Sequence, residues 1–311
     1  MLSVARAVRF EPEQAMATLS DLDKGAAGSQ HILRQTFRFG PSLDIPLGEM
    51  ALGRRYSSSS DPVTRADGLE GMAIAELIMG MVEPGLAHID SAARGEPGAL
   101  EAAEWRVILP DLGVLRLPDQ ERERGRTALR SIARSTTGSA ARAAWALSLD
   151  GYRSGDSRAG ATWQAILGSQ TAHDTVSRLS VLLKALSAGA NGEYLEALQL
   201  SRSSLDVDEA PQIVDPFFRT VLHLERARWA MALGDGALAR KELLWSDNAD
   251  IQGWSTGPAQ AAEVDWVAGS YARVLLARLN NCVGIARVDT ILRLADKSRF
   301  PAADSATACQ P

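Results

Sequence analysis

Pairs such as Gly155-Asp156, Gly192-Glu193 and Gly234-Asp235, a glycine followed by an acidic residue, separate consecutive stretches of helical periodicity. Glycine takes the left-handed conformation that ends one helix, and the neighbouring acid favours the positive N-terminus of the next. Around each turn the small residues keep the same offsets. Seven residues before the glycine stands Ser148, Ala185 or Ala227, and five after it stands Gly160, Ala197 or Ala239. Two antiparallel helices joined by so short a turn approach closely only where side chains are small, so these offsets mark a helix crossing. The unit recurs at intervals of 37 residues (160 to 197) and 42 residues (197 to 239). A chain patterned this way is restricted to stacked helical hairpins.

The rest of the sequence agrees with that restriction. Apolar residues recur at spacings of three and four nearly throughout, and no sustained alternation of β-branched and aromatic residues calls for a sheet. The periodicity predicts helices over 13–24, 63–81, 84–94, 98–108, 119–134, 139–153, 157–168, 174–188, 193–205, 216–233, 236–246 and 258–279, with a weaker one over 283–296. Asp61-Pro62 and Asp215-Pro216 supply a cap followed by a proline, and Pro84 and Pro258 sit where a first helical turn tolerates a missing N–H. Residues 1–60 read as a partial repeat with an irregular segment, 61–298 as a helical-hairpin repeat domain, and 299–311 as a disordered tail.

The small residue in the first helix, the Gly-Asp turn and the alanine in the second helix resemble the tetratricopeptide repeat. GEYLEALQL at 192–200 and GDGALARKEL at 234–243 carry the match. The spacings are longer and less even than that family's period of about 34 residues, and the large aromatics of its first helix are mostly absent. The resemblance implies an all-α, right-handed tetratricopeptide-like superhelix. ARAVRFEP at 5–12 looks like the close of such a repeat, an expectation that Met1 lies inside a longer protein. The segment from Asp215 to Trp266 is similar to the helical-repeat tails of multidomain bacterial regulators, with neither their kinase nor their DNA-binding head present in these residues.

Composition narrows the functional classes. The formal net charge is −5 and the basic residues are scattered, whereas a nucleic-acid groove concentrates them. No stretch approaches the roughly 18 uncharged apolar residues of a membrane span, and the cytoplasm is the default location. Cys282 and Cys309 are too few and too separated for a disulfide scaffold or a zinc site. His31, His88, His173 and His223 lie in four separate segments without further ligands at helical spacing, and neither Asp206-Val207-Asp208-Glu209 nor Asp247-Asn248-Ala249-Asp250 has the glycine and terminal glutamate of a calcium loop. Both acidic runs read as solvated loops. Walker, dinucleotide-binding and serine-elbow motifs are absent, and no cofactor is implied.

The leading expectation is therefore a non-catalytic module binding a protein or peptide on the concave face of the stack. If the repeat register holds, first-helix residues flanking the crossings line that face: Arg142, Trp145, Leu149 and Tyr152, then Leu182 and Leu186, then Leu224, Arg228 and Met231. The competing expectation for the same residues is that they are packed core. The runner-up function is an αα-toroid enzyme acting on carbohydrate. Glu263 and Asp265 beside Trp254 and Trp266 are its candidates, although residues two apart on a helix point in different directions.

Overall fold

The computed structural model describes residues 53–78, 81–93, 95–112, 116–170, 174–205 and 217–252, with isolated positions at 50, 267, 268, 272 and 275. Among the described residues every regular element is a helix and no strand occurs. They are α1 (Pro62–Ile78), α2 (Val82–Ala92), α3 (Gly95–Asp111), α4 (Asp119–Ala133), α5 (Ala140–Arg153), α6 (Ser157–Gln170), α7 (Asp174–Ala190), α8 (Tyr194–Leu205), α9 (Phe218–Ala232) and α10 (Gly236–Gln252). The helices expected over 13–24 and 283–296, most of that over 258–279, the 299–311 tail and most of the 1–60 segment lie outside the described residues.

Local chemistry sets the helix ends. Asp61 accepts the backbone N–H of Thr64 at 2.8 Å and its hydroxyl at 2.6 Å, and Pro62 opens α1 where its missing N–H costs nothing. Gly155, Gly192 and Gly234 have φ of +82°, +83° and +78°, the left-handed conformation that the glycine-acid pattern predicts. Beyond two of these turns the chain folds back on the preceding helix, with the N–H of Glu193 donating to Ala188 O and that of Asp235 to Ala230 O, both at 2.9 Å. Asp156 and Asp235 then cap the next helix, accepting from the N–H of Ala159 at 2.9 Å and of Leu238 at 3.0 Å.

Helices α3 and α10 run past their expected bounds. Helix α3 begins before and ends beyond 98–108, carrying Pro110 in its last turn. Helix α10 runs on to Gln252, so residues 247–250 are helical and not an inter-helix loop. Polar Asp and Asn side chains lower helix propensity by only tenths of a kcal/mol each, and no glycine or proline interrupts α10 before Gly253.

Consecutive helices pair as antiparallel hairpins, α1 with α2, α3 with α4, α5 with α6, α7 with α8 and α9 with α10. First helices of successive hairpins also touch, α3 with α5, α5 with α7 and α7 with α9, while α4, α6 and α8 each pack on the first helix that follows. The crossings fall where the small residues predict. Ala185, Ala197, Ala227 and Ala239 are fully buried, and the Ser148 hydroxyl donates to Gly160 O at 2.8 Å. The α5/α6 approach is so close that a Cβ on Gly151 would lie 2.4 Å from Gly160 N.

Candidate functional site

Buried arginines tie the hairpins to one another. Arg106 of α3 bridges Asp90 of α2 and Glu121 of α4, both at 2.8 Å. Arg142 of α5 grips Glu104 of α3 with two nitrogens. Arg226 of α9 donates to Glu242 of α10 at 2.9 Å and to Ser201 of α8 at 2.7 Å. His223 Nδ1 lies 2.8 Å from the other Glu242 oxygen. Burial alone raises the Glu242 pKa, but His223 and Arg226 outweigh it and hold the carboxylate below its ordinary value.

The densest of these clusters joins α3, α4 and α5. Asp111 and Asp150 both bind Arg122 Nη2, and Arg126 holds Asp150 with two bonds of 2.7 Å. Burial first, and then the neighbouring Asp150 charge, pushes the Asp111 carboxyl up to about 9. Burial also works against Asp150, yet hydrogen bonds from Arg126 and Arg122 leave it below the ordinary carboxylate value. Paired carboxyls with divergent pKa values suit acid-base chemistry, but the Asp111 side chain is 2% exposed and the Asp150 side chain 9%.

The nine residues expected to line the concave face separate into two groups. Trp145, Leu149, Tyr152, Leu182, Leu186 and Leu224 are buried, none more than 5% exposed, as the packed-core alternative expects. Arg142, Arg228 and Met231 are half-buried, with Arg142 on Glu104 and Arg228 on Glu225 at 2.5 Å. Phe217, just before α9, reaches Trp105 of α3 edge to face, centroids 5.8 Å apart and planes at 76°, so packing joins separate hairpins. Helix α5 meanwhile touches α3, α4, α6 and α7, and every residue from Ala143 to Tyr152 is buried. A helix that is small and apolar all round belongs in a core, and AARAAWALSLDGY carries that signal in the sequence.

An opening remains at the C-terminal ends of the three successive first helices α5, α7 and α9. It is a cavity of about 140 Å³ whose lining includes Tyr152, Arg153, Leu186, Gly189, Glu225 and Trp229. Glycine is required at 189 because a Cβ there would lie 2.3 Å from the indole nitrogen of Trp229. Arg153 is fixed by two bonds to the Asp111 carbonyl, 3.0 and 2.9 Å, and donates from Nη1 to Glu225 at 3.2 Å. Burial raises the Tyr152 pKa, and its hydroxyl donates to Gln164 at 2.6 Å. Sequence register brought Tyr152 and Leu186 to this place but missed Arg153, Glu225 and Trp229. The available signal was the charged Glu225 next to Leu224 in the helical run from Thr220 to Ala227, all of it buried.

His88 pairs with Glu76 at 2.7 Å, while His31, His173, Cys282, Cys309, Glu263, Asp265 and the 206–209 acidic run lie outside the described residues. Among the described residues no group of three His, Cys, Asp or Glu side chains is placed to hold a metal, and no helix is long and apolar enough to cross a membrane. In comparisons with known proteins, no family model, no curated protein and no solved structure matches the chain.

Proposed function

We propose that this chain is a non-catalytic, tetratricopeptide-like helical-repeat module that binds a protein or peptide, as part of a bacterial regulatory protein. The observation that carries the reading is the cavity built jointly by α5, α7 and α9. A site contributed by equivalent ends of successive repeats is the kind of surface that a stack creates and a single hairpin cannot. The hairpin order, the left-handed turn glycines and the contacts between neighbouring first helices support a stack of helical hairpins. Because the apolar residues of these first helices are buried, the binding surface is the end of α5, α7 and α9 where the cavity opens, with Arg228 and Met231 on α9.

A random peptide library displayed on phage and selected against the whole chain tests this. The expected result is an enriched consensus whose synthetic peptide binds in titration and is weakened at least tenfold by Met231→Asp or Arg228→Glu, each variant first shown to melt cooperatively. Absence of any consensus, together with turnover of an oligosaccharide panel, would replace the reading with the carbohydrate-enzyme alternative.

A further inference from the structure

The cavity between α5, α7 and α9 has a lining chemistry that selects its occupant. Its volume of about 140 Å³ is close to the roughly 150 Å³ of an apolar cavity that admits benzene and well short of the roughly 300 Å³ at which ordinary ligand pockets begin. It therefore has room for one side chain and not for a whole metabolite. Trp229 and Tyr152 supply flat walls, and Gly189 lets the indole lie against the α7 backbone.

The polar part of the lining is a guanidinium and a carboxylate already facing each other. Arg153 cannot swing away, because its Nε and Nη2 hold the Asp111 carbonyl. Its remaining contact, Nη1 to Glu225 Oε2, is 3.2 Å, at the long end for N–H···O bonds. Glu225 is 1% exposed and its other oxygen accepts from Arg228 at 2.5 Å. An anion entering here would meet the buried Glu225 carboxylate, and a cation would meet Arg153. Either would oppose a like charge. A carboxamide meets neither penalty. Its carbonyl accepts from Arg153 Nη1 and its NH₂ donates to Glu225 Oε2, while its plane lies along the aromatic walls.

We propose that this cavity is a subsite for a neutral carboxamide, the side chain of an Asn or Gln in the bound peptide. The proposal rests on the peptide-binding reading above and names the side chain which that surface recognises.

The test uses three near-isosteric probes on the full chain, propionamide, propionate and propylammonium, followed by saturation-transfer NMR titration at neutral pH. Propionamide is expected to bind at least tenfold more tightly than either charged probe. Ala190 lines the same cavity and is itself exposed, so Ala190→Phe blocks the mouth from the surface side, and it is expected to abolish propionamide binding with the melt unchanged. Propionate or propylammonium binding as well as propionamide, propionamide binding that survives Ala190→Phe, or no saturation transfer from any probe would each overturn the proposal. A display-selected peptide that still binds while propionamide does not would remove the subsite and leave the peptide-binding reading standing. Loss of both would remove the two together.

Discussion

Asp111 at the end of α3 and Asp150 near the end of α5 bind the same guanidinium nitrogen, Nη2 of Arg122. Two carboxyls on one cation cannot both ionise cheaply in a buried site. Asp111 keeps its proton, pushed up to about 9 by burial and by Asp150, while Asp150 is held low by Arg126 and Arg122.

A pH dependence of stability follows with a definite sign. In the unfolded chain Asp111 ionises near 3.8, and in the folded chain near 9. Between those values the native state binds the extra proton, so this group's contribution to stability falls as pH rises, by at most about 1.4 kcal/mol per pH unit. Asp150 acts oppositely and lower on the scale. Its contribution is present above the unfolded pKa and is lost as acid carries the pH down through its depressed folded value. Urea midpoints measured from pH 5 to 9 should decline for the wild type more steeply than for Asp111→Asn, which needs no proton. Equal slopes would show that Asp111 is ionised in the fold.

The turn glycines give a second contrast. At Gly192 a Cβ would touch nothing within 4 Å, and neither would one at Gly168 near the end of α6. Any difference between alanine substitutions at the two is therefore conformational. Gly192→Ala forces an L-residue to φ +83° and should cost about 1–2 kcal/mol. Gly168→Ala, in ordinary helical conformation, should stabilise by about 0.5–1 kcal/mol. Chemical denaturation of both variants checks the pair, and a stabilising Gly192→Ala would remove the left-handed turn.

Trp145 separates the concave-face reading from the packed-core one. It is fully buried, and its indole N–H has no hydrogen-bond partner. As core, Trp145→Asp should abolish cooperative unfolding, because a carboxylate would be buried without compensation. Trp145→Phe should be mild by comparison, within about 2 kcal/mol of wild type, since it removes the orphaned donor as it gives up part of the ring. A well-folded Trp145→Asp would return this residue to the surface.

These residues also show what the sequence made legible. Left-handed glycines and small crossing residues act locally, so Gly155, Gly192 and Gly234 and the alanine pairs were readable from spacing alone. The register likewise placed Trp145, Leu182 and Leu224 on first helices. It could not say whether those residues are open or buried, because that depends on how the hairpins pack on one another. The Trp105–Phe217 contact joins residues of separate hairpins, and no spacing rule connects them. The cavity was hidden for the same reason: Arg153 and Glu225 meet only after α5 and α9 have been placed by their own packing.

The hairpin crossings themselves are the last element open to direct test. Ala227 of α9 and Ala239 of α10 are both fully buried, at the positions where the two helices of one hairpin are expected to touch. Adding three carbons at Ala227 gives them no space, so Ala227→Leu should overpack the contact and cost about 1–3 kcal/mol. Ala237 lies two residues before Ala239 on the same helix but is exposed, so Ala237→Leu should change stability by no more than about 0.5 kcal/mol. The comparison separates crowding from any general effect of a larger side chain on α9 or α10. Thermal melts of the two variants provide the measurement. Equal melting temperatures would mean that the helices do not cross at Ala227, and that the repeat register built on Ser148, Ala185 and Ala227 is displaced.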